Sequence, residues 1–211
     1  VLGANPVVSN GSMMTAPDMP GRLRALKARG GRLVVVDPVR TRTADLSDEH
    51  LRIRPGTDAF LLAAIARTII SDHLADTGAA TPHLADEALA AITDVLAPFT
   101  PEAVATVTAV AADTTRRLAR ELATAPSAAV YGRMGTTTSG TVIAGDVAQS
   151  FGTAASWLIT VINLLTGNLD QEGGVMWPLP AAGGPSTSGT PGLGRGIRVP
   201  GSQRTRVRGL P

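Results

Sequence analysis

Four apolar residues in a row, Leu33-Val34-Val35-Val36, stand between Gly30-Gly31 and Asp37-Pro38. Successive side chains on a strand point to opposite faces, so a strand with one wet face alternates apolar with polar residues. An unbroken run of this kind marks a strand buried on both faces, which is the condition of a parallel sheet covered by helices. The residues around it agree. Val1-Leu2-Gly3 reads as the end of a buried strand running into a turn at Asn5-Pro6. Asp18 and Pro20 mark a helix start, and Leu23 and Leu26, set among Arg and Lys, give it one apolar side. Gly30-Gly31 stops that helix. Strand, helix, glycine pair and buried strand together spell a βαβ unit.

The pattern continues downstream. A third strand is expected over residues 50–54, closed by Pro55-Gly56, and Thr57 or Asp58 then caps a helix over residues 59–71. Residues 82–96 read as a helix ended by Pro98, and Thr100-Pro101-Glu102 is a clean start for the next one. Another helix begins at Asp113, with Leu118 and Leu122 inward and Arg116, Arg117 and Arg120 outward. Ala128-Ala129-Val130-Tyr131 reads as a fourth strand broken by Gly132, and a long helix is expected from about residue 141 to 165, stopped by Gly167. The expected class is α/β: a Rossmann-like parallel sheet flanked by helices over residues 1–170. Residues 171–211, rich in Gly, Pro and Arg, read as an irregular tail or linker.

Composition narrows the function classes. Aromatics are only 3% of the 211 residues, so the core must be built from Ala, Val, Leu and Ile. There is no cysteine, which excludes disulfides, thiolate metal sites and an iron–sulfur cluster within these residues. His50, His73 and His83 lack ligand spacing, so neither a metal ligand nor a catalytic residue is expected here, and His50 reads as a surface or satisfied histidine. The pI of 9.9 and the arginines of the tail raise nucleic-acid binding. A formal net charge of +2, without an aromatic platform or a nucleic-acid motif, argues against it. Residues 157–165 are too short an apolar stretch to span a bilayer. No signal peptide is visible, and the expectation is a cytoplasmic protein, any export signal lying ahead of Val1. Starting on Val1 and stopping in a basic stretch at Pro211, the chain reads as an internal fragment.

In a doubly wound sheet ligands sit at the carboxyl ends of the strands. Four turns answer to that place: Gly3-Ala4-Asn5-Pro6, Asp37-Pro38-Val39-Arg40-Thr41, Arg54-Pro55-Gly56-Thr57-Asp58 and Gly132-Arg133-Met134-Gly135-Thr136. Glycine lets the backbone approach a ligand, and free backbone N–H groups bind phosphate. A carboxylate after a strand accepts two hydrogen bonds from a ribose diol or from the N1–H and amine of guanine. Asp37 and Asp58 both stand there, and Arg40 offers a charge for phosphate or a plane for stacking. Each has a plainer reading: Asp37-Pro38 as a turn, Asp58 as a helix cap. The residues alone support a nucleotide-binding α/β domain.

Read in order, these stretches resemble the molybdopterin oxidoreductase family, which includes formate dehydrogenases, nitrate reductases and dimethyl sulfoxide reductases. The similarity runs from Gly3-Ala4-Asn5-Pro6 through residues 31–44 and His50-Leu51-Arg52-Ile53-Arg54-Pro55-Gly56-Thr57-Asp58. It continues in Phe99-Thr100-Pro101-Glu102, in residues 132–135 and in Leu165-Thr166-Gly167-Asn168-Leu169, covering residues 1 to about 180. The resemblance implies a pair of pterin-dithiolene guanine dinucleotides chelating molybdenum or tungsten, one held largely by this domain. By position it implies Gly3, Ala4 and Asn5 near diphosphate and ribose, and Asp37, Arg40 and Thr41 around the nucleoside. Gly56, Thr57 and Asp58 then lie on the guanine side, Asp58 as the base-recognising carboxylate, and Met134 and Gly135 near pterin and metal. Many relatives carry glutamine four residues after that methionine; this chain has Thr138.

The same resemblance puts the metal-ligating side chain, and any iron–sulfur cysteines, upstream of Gly3. It puts the domain that completes the second dinucleotide site downstream, and it allows an electron-transfer partner for the parent. The expectation is thus a cofactor-binding segment, not active alone, of a formate dehydrogenase- or nitrate reductase-like enzyme. A stand-alone nucleotide-binding α/β module without redox activity is the alternative.

Overall fold

β1 (Val34–Val36) pairs in parallel with β2 (Glu49–Leu51), with Val35 opposite His50. The computed structural model describes residues 1–11, 16–78, 81, 86–141 and 149–175. On the other side of β1 lies Leu2, bridged in parallel both to Val36 and to Gly132. The spatial order is therefore the segment ending at Gly132, then the segment at Leu2, then β1, then β2, all parallel. Gly3 donates its N–H to Val36 O (3.1 Å), Val36 to Val1 O (2.8 Å) and Leu2 to Tyr131 O (2.8 Å).

Both faces of this small sheet are covered. Val35 is fully buried with Leu23, Leu33 and Ala44, against α1 (Met19–Ala28) and α2 (Arg42–Asp45). Val36 points the opposite way, as the two-residue period requires, and joins Leu2 and Ile53 in the larger core. That core is built on α3 (Asp58–Ser71), whose Leu61, Leu62 and Ile69 are fully enclosed. Burial on this scale is worth roughly 1.5–3 kcal/mol for each such side chain. Ala63, Ala64 and Ala66 keep α3 slim, so other helices crowd around it. These are α4 (Asp86–Leu96), α5 (Pro101–Thr108), α6 (Ala112–Thr124) and α8 (Gly152–Leu165), the last described after α7 (Met134–Thr138). At the amino side of β2, Arg32 and Arg117 each pair with both Glu49 and Glu121, tying the edge strand to α6.

Several boundaries differ from the sequence reading. Leu33 stands outside β1 because its N–H goes to the Asp48 carboxylate (2.8 Å). The third strand ends at Leu51, not at residue 54, because Arg54 turns its N–H to Thr108 O (2.9 Å). Thr57 is the N-cap residue of α3 but gives it no side-chain cap bond; its hydroxyl donates to Arg54 O (2.7 Å), and Asp58 is the first helical residue. Of the helix expected over residues 82–96, α4 covers the part from Asp86, and residues 82–85 lie outside the described residues. The long helix expected from residue 141 is instead an antiparallel pair, β3 (Gly140–Thr141) with β4 (Gln149–Ser150), followed by α8. Gly152 opens α8 where a Cβ would collide with the Thr137 backbone. Residues 142–148 and the tail beyond Val175 lie outside the described residues; before that, Val175 bridges back to Leu169. Among the described residues, no single helix is long and apolar enough to cross a membrane.

The expected fourth strand, residues 128–131, is not formed: this segment is extended chain that meets Leu2 only through the Leu2 N–H to Tyr131 O bond and the isolated bridge at Gly132. Its other edge is closed by side-chain amides. Asn163, 1% exposed, accepts from Val130 N–H (2.9 Å) and donates to Val130 O (2.9 Å) and Ile159 O (2.8 Å). Asn168 accepts from Ala128 N–H (2.8 Å). One α8 side chain thus stands in for a neighbouring strand. Asn163→Leu keeps the volume and strands both polar groups of Val130, so we expect it to lower unfolding free energy by about 3 kcal/mol or more. Denaturant unfolding measures this, and a loss under about 1 kcal/mol would show that the amide is not what closes the edge.

Candidate functional site at the carboxyl edge of the sheet

The four turns that leave the carboxyl ends of the parallel segments are locked to one another. Gly3 has φ +50°, and a Cβ there would fall 2.3 Å from Thr136 N and 2.6 Å from the Gly135 carbonyl carbon. Gly135 donates its N–H to Gly3 O (2.9 Å), and a Cβ on Gly135 would lie 2.7 Å from that same oxygen. The first and fourth turns therefore cross backbone on backbone, which only two glycines allow. Gly56 repeats the device at φ +76°, with β3 passing 2.5 Å from where a Cβ would be. Ala4 is buried beside the crossing.

Below the crossing lies a carboxylate. Asp58, 4% exposed at the first position of α3, accepts a hydrogen bond at Oδ1 from the Thr136 hydroxyl (3.0 Å), itself 3% exposed. Burial is the main influence on Asp58 and raises its pKa above the usual carboxylate value. The Thr136 hydroxyl and a backbone N–H pull it back down, and the negative charge of Asp37 pushes it up again. The start of a fourteen-residue helix also favours an anion here.

The second turn is joined to the first differently. Asn5 Oδ1 accepts from Thr43 Oγ1 (2.8 Å) and Thr43 N–H (3.3 Å), and its backbone oxygen receives Val8 and Ser9 N–H (3.0 Å each). Asp37 folds back on its own turn, accepting from Val39 N–H (2.9 Å), while its carbonyl accepts from His50 Nε2 (2.9 Å). His50 is therefore a satisfied histidine.

Of the residues singled out by sequence, Gly3, Gly135, Gly56 and Asp58 come together, with Ala4 and Thr57 buried behind them. Arg40 and Thr41 stand apart. Arg40 Nε pairs with Asp45 (2.8 Å) in an exposed ion pair, and Thr41 Oγ1 caps α2 by accepting from Ala44 N–H (3.2 Å). Arg40 also borders an open cleft of about 410 Å³ between the end of β2 and the α5–α6 turn, shared with His50, Arg52, Ala109 and Thr114. Met134 is 66% exposed at the rim, and Thr138 donates back to Met134 O (2.5 Å) at the end of α7. The residues expected to form a loop after Gly132 are thus a short helix from Met134. Thr43 and Thr136 were given no role from the sequence, Thr136 being named only as the last residue of the fourth turn. Thr136 directly follows the Met134-Gly135 pair, and position was its only signal; Thr43 lies inside the Thr41-Arg42-Thr43 run with none.

Fold and edge together define a helix-rich α/β protein whose parallel sheet gathers glycine-bearing turns at one end. A family model described as Molybdopterin oxidoreductase matches residues 1–179. The chain belongs to the molybdopterin oxidoreductase family, and that membership implies a molybdopterin cofactor. It is 30% identical over 171 residues to "Formate dehydrogenase H" of Escherichia coli (strain K12), across 81% of this chain and 21% of that protein. It is 31% identical over 199 residues to "Nitrate reductase" of Symbiobacterium thermophilum, across 90% of this chain and 25% of that one. Among solved structures, acetylene hydratase from Pelobacter acetylenicus superposes with a TM-score of 0.51 at 22% identity, covering 70% of this chain and 19% of that one. That likeness speaks to the fold. The chain spans 21% and 25% of the two curated relatives.

Two outcomes follow from the edge. Gly3→Ala meets both a left-handed backbone and a backbone collision, whereas Gly30, at φ +81°, has nothing within 4 Å of its missing Cβ. Gly30→Ala should cost about 1 kcal/mol and Gly3→Ala at least about twice that; equal costs would show that the crossing yields freely. The second concerns Asp58. Its folded pKa lies above its unfolded one, so the native state holds the proton more tightly. Stability attached to that proton is present below the unfolded pKa and is lost as pH rises through the folded pKa. Asp58→Asn keeps an acceptor for Thr136 and has no charge to desolvate. In cofactor-free protein its melting temperature should gain on wild type as pH rises through that window and hold the gain at neutral pH. Parallel pH curves for the two proteins would refute the burial argument.

Proposed function

We propose that the chain is the cofactor-holding segment of a molybdenum or tungsten bis(molybdopterin guanine dinucleotide) oxidoreductase, formate dehydrogenase-like or nitrate reductase-like. In this reading residues 1–170 are a Rossmann-like domain that binds one dinucleotide at the carboxyl edge of the sheet, and residues 171–211 lead to further domains. The observation that carries it is the crossing of the neighbouring turns at Gly3 and Gly135 together with the Thr136–Asp58 bond, which joins the turns from the two ends of the parallel order.

The residues present suit such a group. A dinucleotide asks for backbone N–H groups near its phosphates and for carboxylates near ribose and base. Glycine-bearing turns and two carboxylates, Asp37 and Asp58, occupy neighbouring strand ends. Asp58 is the base-side carboxylate in this reading, with Gly56 and Thr57 shaping its turn. Gly3, Ala4 and Asn5 serve the diphosphate, Asp37, Arg40 and Thr41 the nucleoside, and Met134, Gly135 and Thr138 the pterin. When bound, the metal supplies two-electron transfer, often with an oxygen atom. The chain's share is to bind, orient and exclude water: its edge is pre-assembled by backbone contacts, so little ordering is left for binding to drive. The metal-ligating side chain, any iron–sulfur cluster, the remaining dinucleotide contacts and the docking site of an electron-transfer partner belong to other parts of the parent.

The test is to express the complete reading frame in cells that make the cofactor and to assay molybdenum, tungsten and acid-released guanine nucleotide. About one metal and about two guanine nucleotides per chain is the expected result, since the cofactor rather than the protein carries the chemistry. Neither metal nor guanine would leave a plain nucleotide-binding α/β module as the better account.

A further inference from the structure

We propose that Thr136 is a positioning residue for the cofactor: its hydroxyl fixes the Asp58 carboxylate and ties the base-side turn to α7. The inference rests on the cofactor reading above and adds a residue that neither composition nor motif singles out.

Four observations lead to it. Thr136 and Asp58 are both more than nine-tenths buried, and the bond between them spans 78 positions of sequence. The hydroxyl lies against the Gly3 backbone, where an added Cβ would fall 2.6 Å from Thr136 Oγ1. Five residues of helix cannot hold themselves, and α7 has no side-chain cap at its start. It packs against α8, and its hydrogen bonds to the other turns are Gly135 N–H to Gly3 O and Thr136 Oγ1 to Asp58. Finally, a carboxylate has two oxygens. Engaging Oδ1 with Thr136 sets the plane of the group and leaves Oδ2 in a defined direction, which is what recognition of a planar base edge demands.

The charges around Asp58 give the proposal a signature of its own. From β1, Asp37 acts on it with like charge; α7 offers the uncharged Thr136, and the Gly56 turn leans on the uncharged Gly140-Thr141. The hydroxyl is thus the side-chain group that holds Asp58 in its accepting, ionised form against burial and Asp37. Without it Asp58 keeps its proton to higher pH and ceases to accept from two donors. A side chain that merely fills space would leave that titration where it is.

The experiment uses the full-length holoenzyme and follows release of guanine nucleotide against pH for wild type, Thr136→Val, Thr136→Ala and Thr136→Ser. For Thr136→Val and Thr136→Ala we expect release about tenfold faster at mildly acidic pH, the size of effect a hydrogen bond to a charged group commands, with the acid midpoint moved to higher pH. Thr136→Ser should match wild type in both. Thr136→Ala removes the same hydroxyl without adding bulk, so a Thr136→Val that does not fold leaves the comparison intact. Wild-type midpoints in Val and Ala would overturn the proposal, as would a Ser variant that behaves like Val. Wild-type holoenzyme that contains no guanine nucleotide would instead overturn the cofactor reading beneath it.

Discussion

Leu2 is hydrogen-bonded through its backbone to Tyr131 and Arg133 on one side, while its neighbours Val1 and Gly3 bond to Val36 on the other. This one residue of extended chain holds together Val36 and Gly132, which lie far apart in sequence. It also sets the height at which two turns leave the sheet. Because Leu2 is flanked by both partners, Gly3 and Gly135 emerge side by side, and they can cross because neither has a side chain. The buried Asp58–Thr136 bond then sits beneath that crossing, with α3 as its floor. Losing the Leu2 pairing would separate the turns before any ligand was involved.

The edge is built in an unusual balance of backbone and side chain. A buried carboxylate is a cost to the fold, and Asp58 bears it with one hydroxyl and the helix start as partial compensation. In the interior a hydrogen bond is stronger than in water and an unpaired group is correspondingly worse off. Such an arrangement is poorly explained by stability, since an uncharged residue of the same shape avoids the desolvation. It is well explained by recognition, where a pre-oriented carboxylate in a protected place discriminates among base edges.

Much of this was legible in the sequence. The Leu33–Val36 run announced a doubly covered parallel strand, and both faces are covered. The turn after β1 was placed correctly because Asp and Pro punctuate it, whereas the turn expected at residues 132–136 runs into α7 at Met134. Other features were not readable, each for a physical reason. The strand expected over residues 128–131 does not form, because Asn163 and Asn168 take the hydrogen bonds a neighbouring strand would have made, and nothing in a sequence says that an amide will imitate a backbone. The single long helix expected over residues 141–165 failed because Gly152 answers to a contact with Thr137, not to local propensity. That Thr41 caps α2 was not readable either, since its partner Ala44 N–H is set by the fold of the turn. Thr136 was visible only as a member of the fourth turn, and its bond could not be read because its partner Asp58 lies on another turn.

The central claim is that the carboxyl edge of this sheet, and no other surface of the segment, holds the dinucleotide. Hydrogen–deuterium exchange of the full-length protein, with cofactor and after its removal, tests this directly. The account predicts added protection in peptides covering residues 3–8, 37–43, 54–58 and 133–138 on loading, with little change at the amino edge around residues 29–33 and 45–49. Protection confined to the amino edge, or spread evenly over the segment, would contradict it.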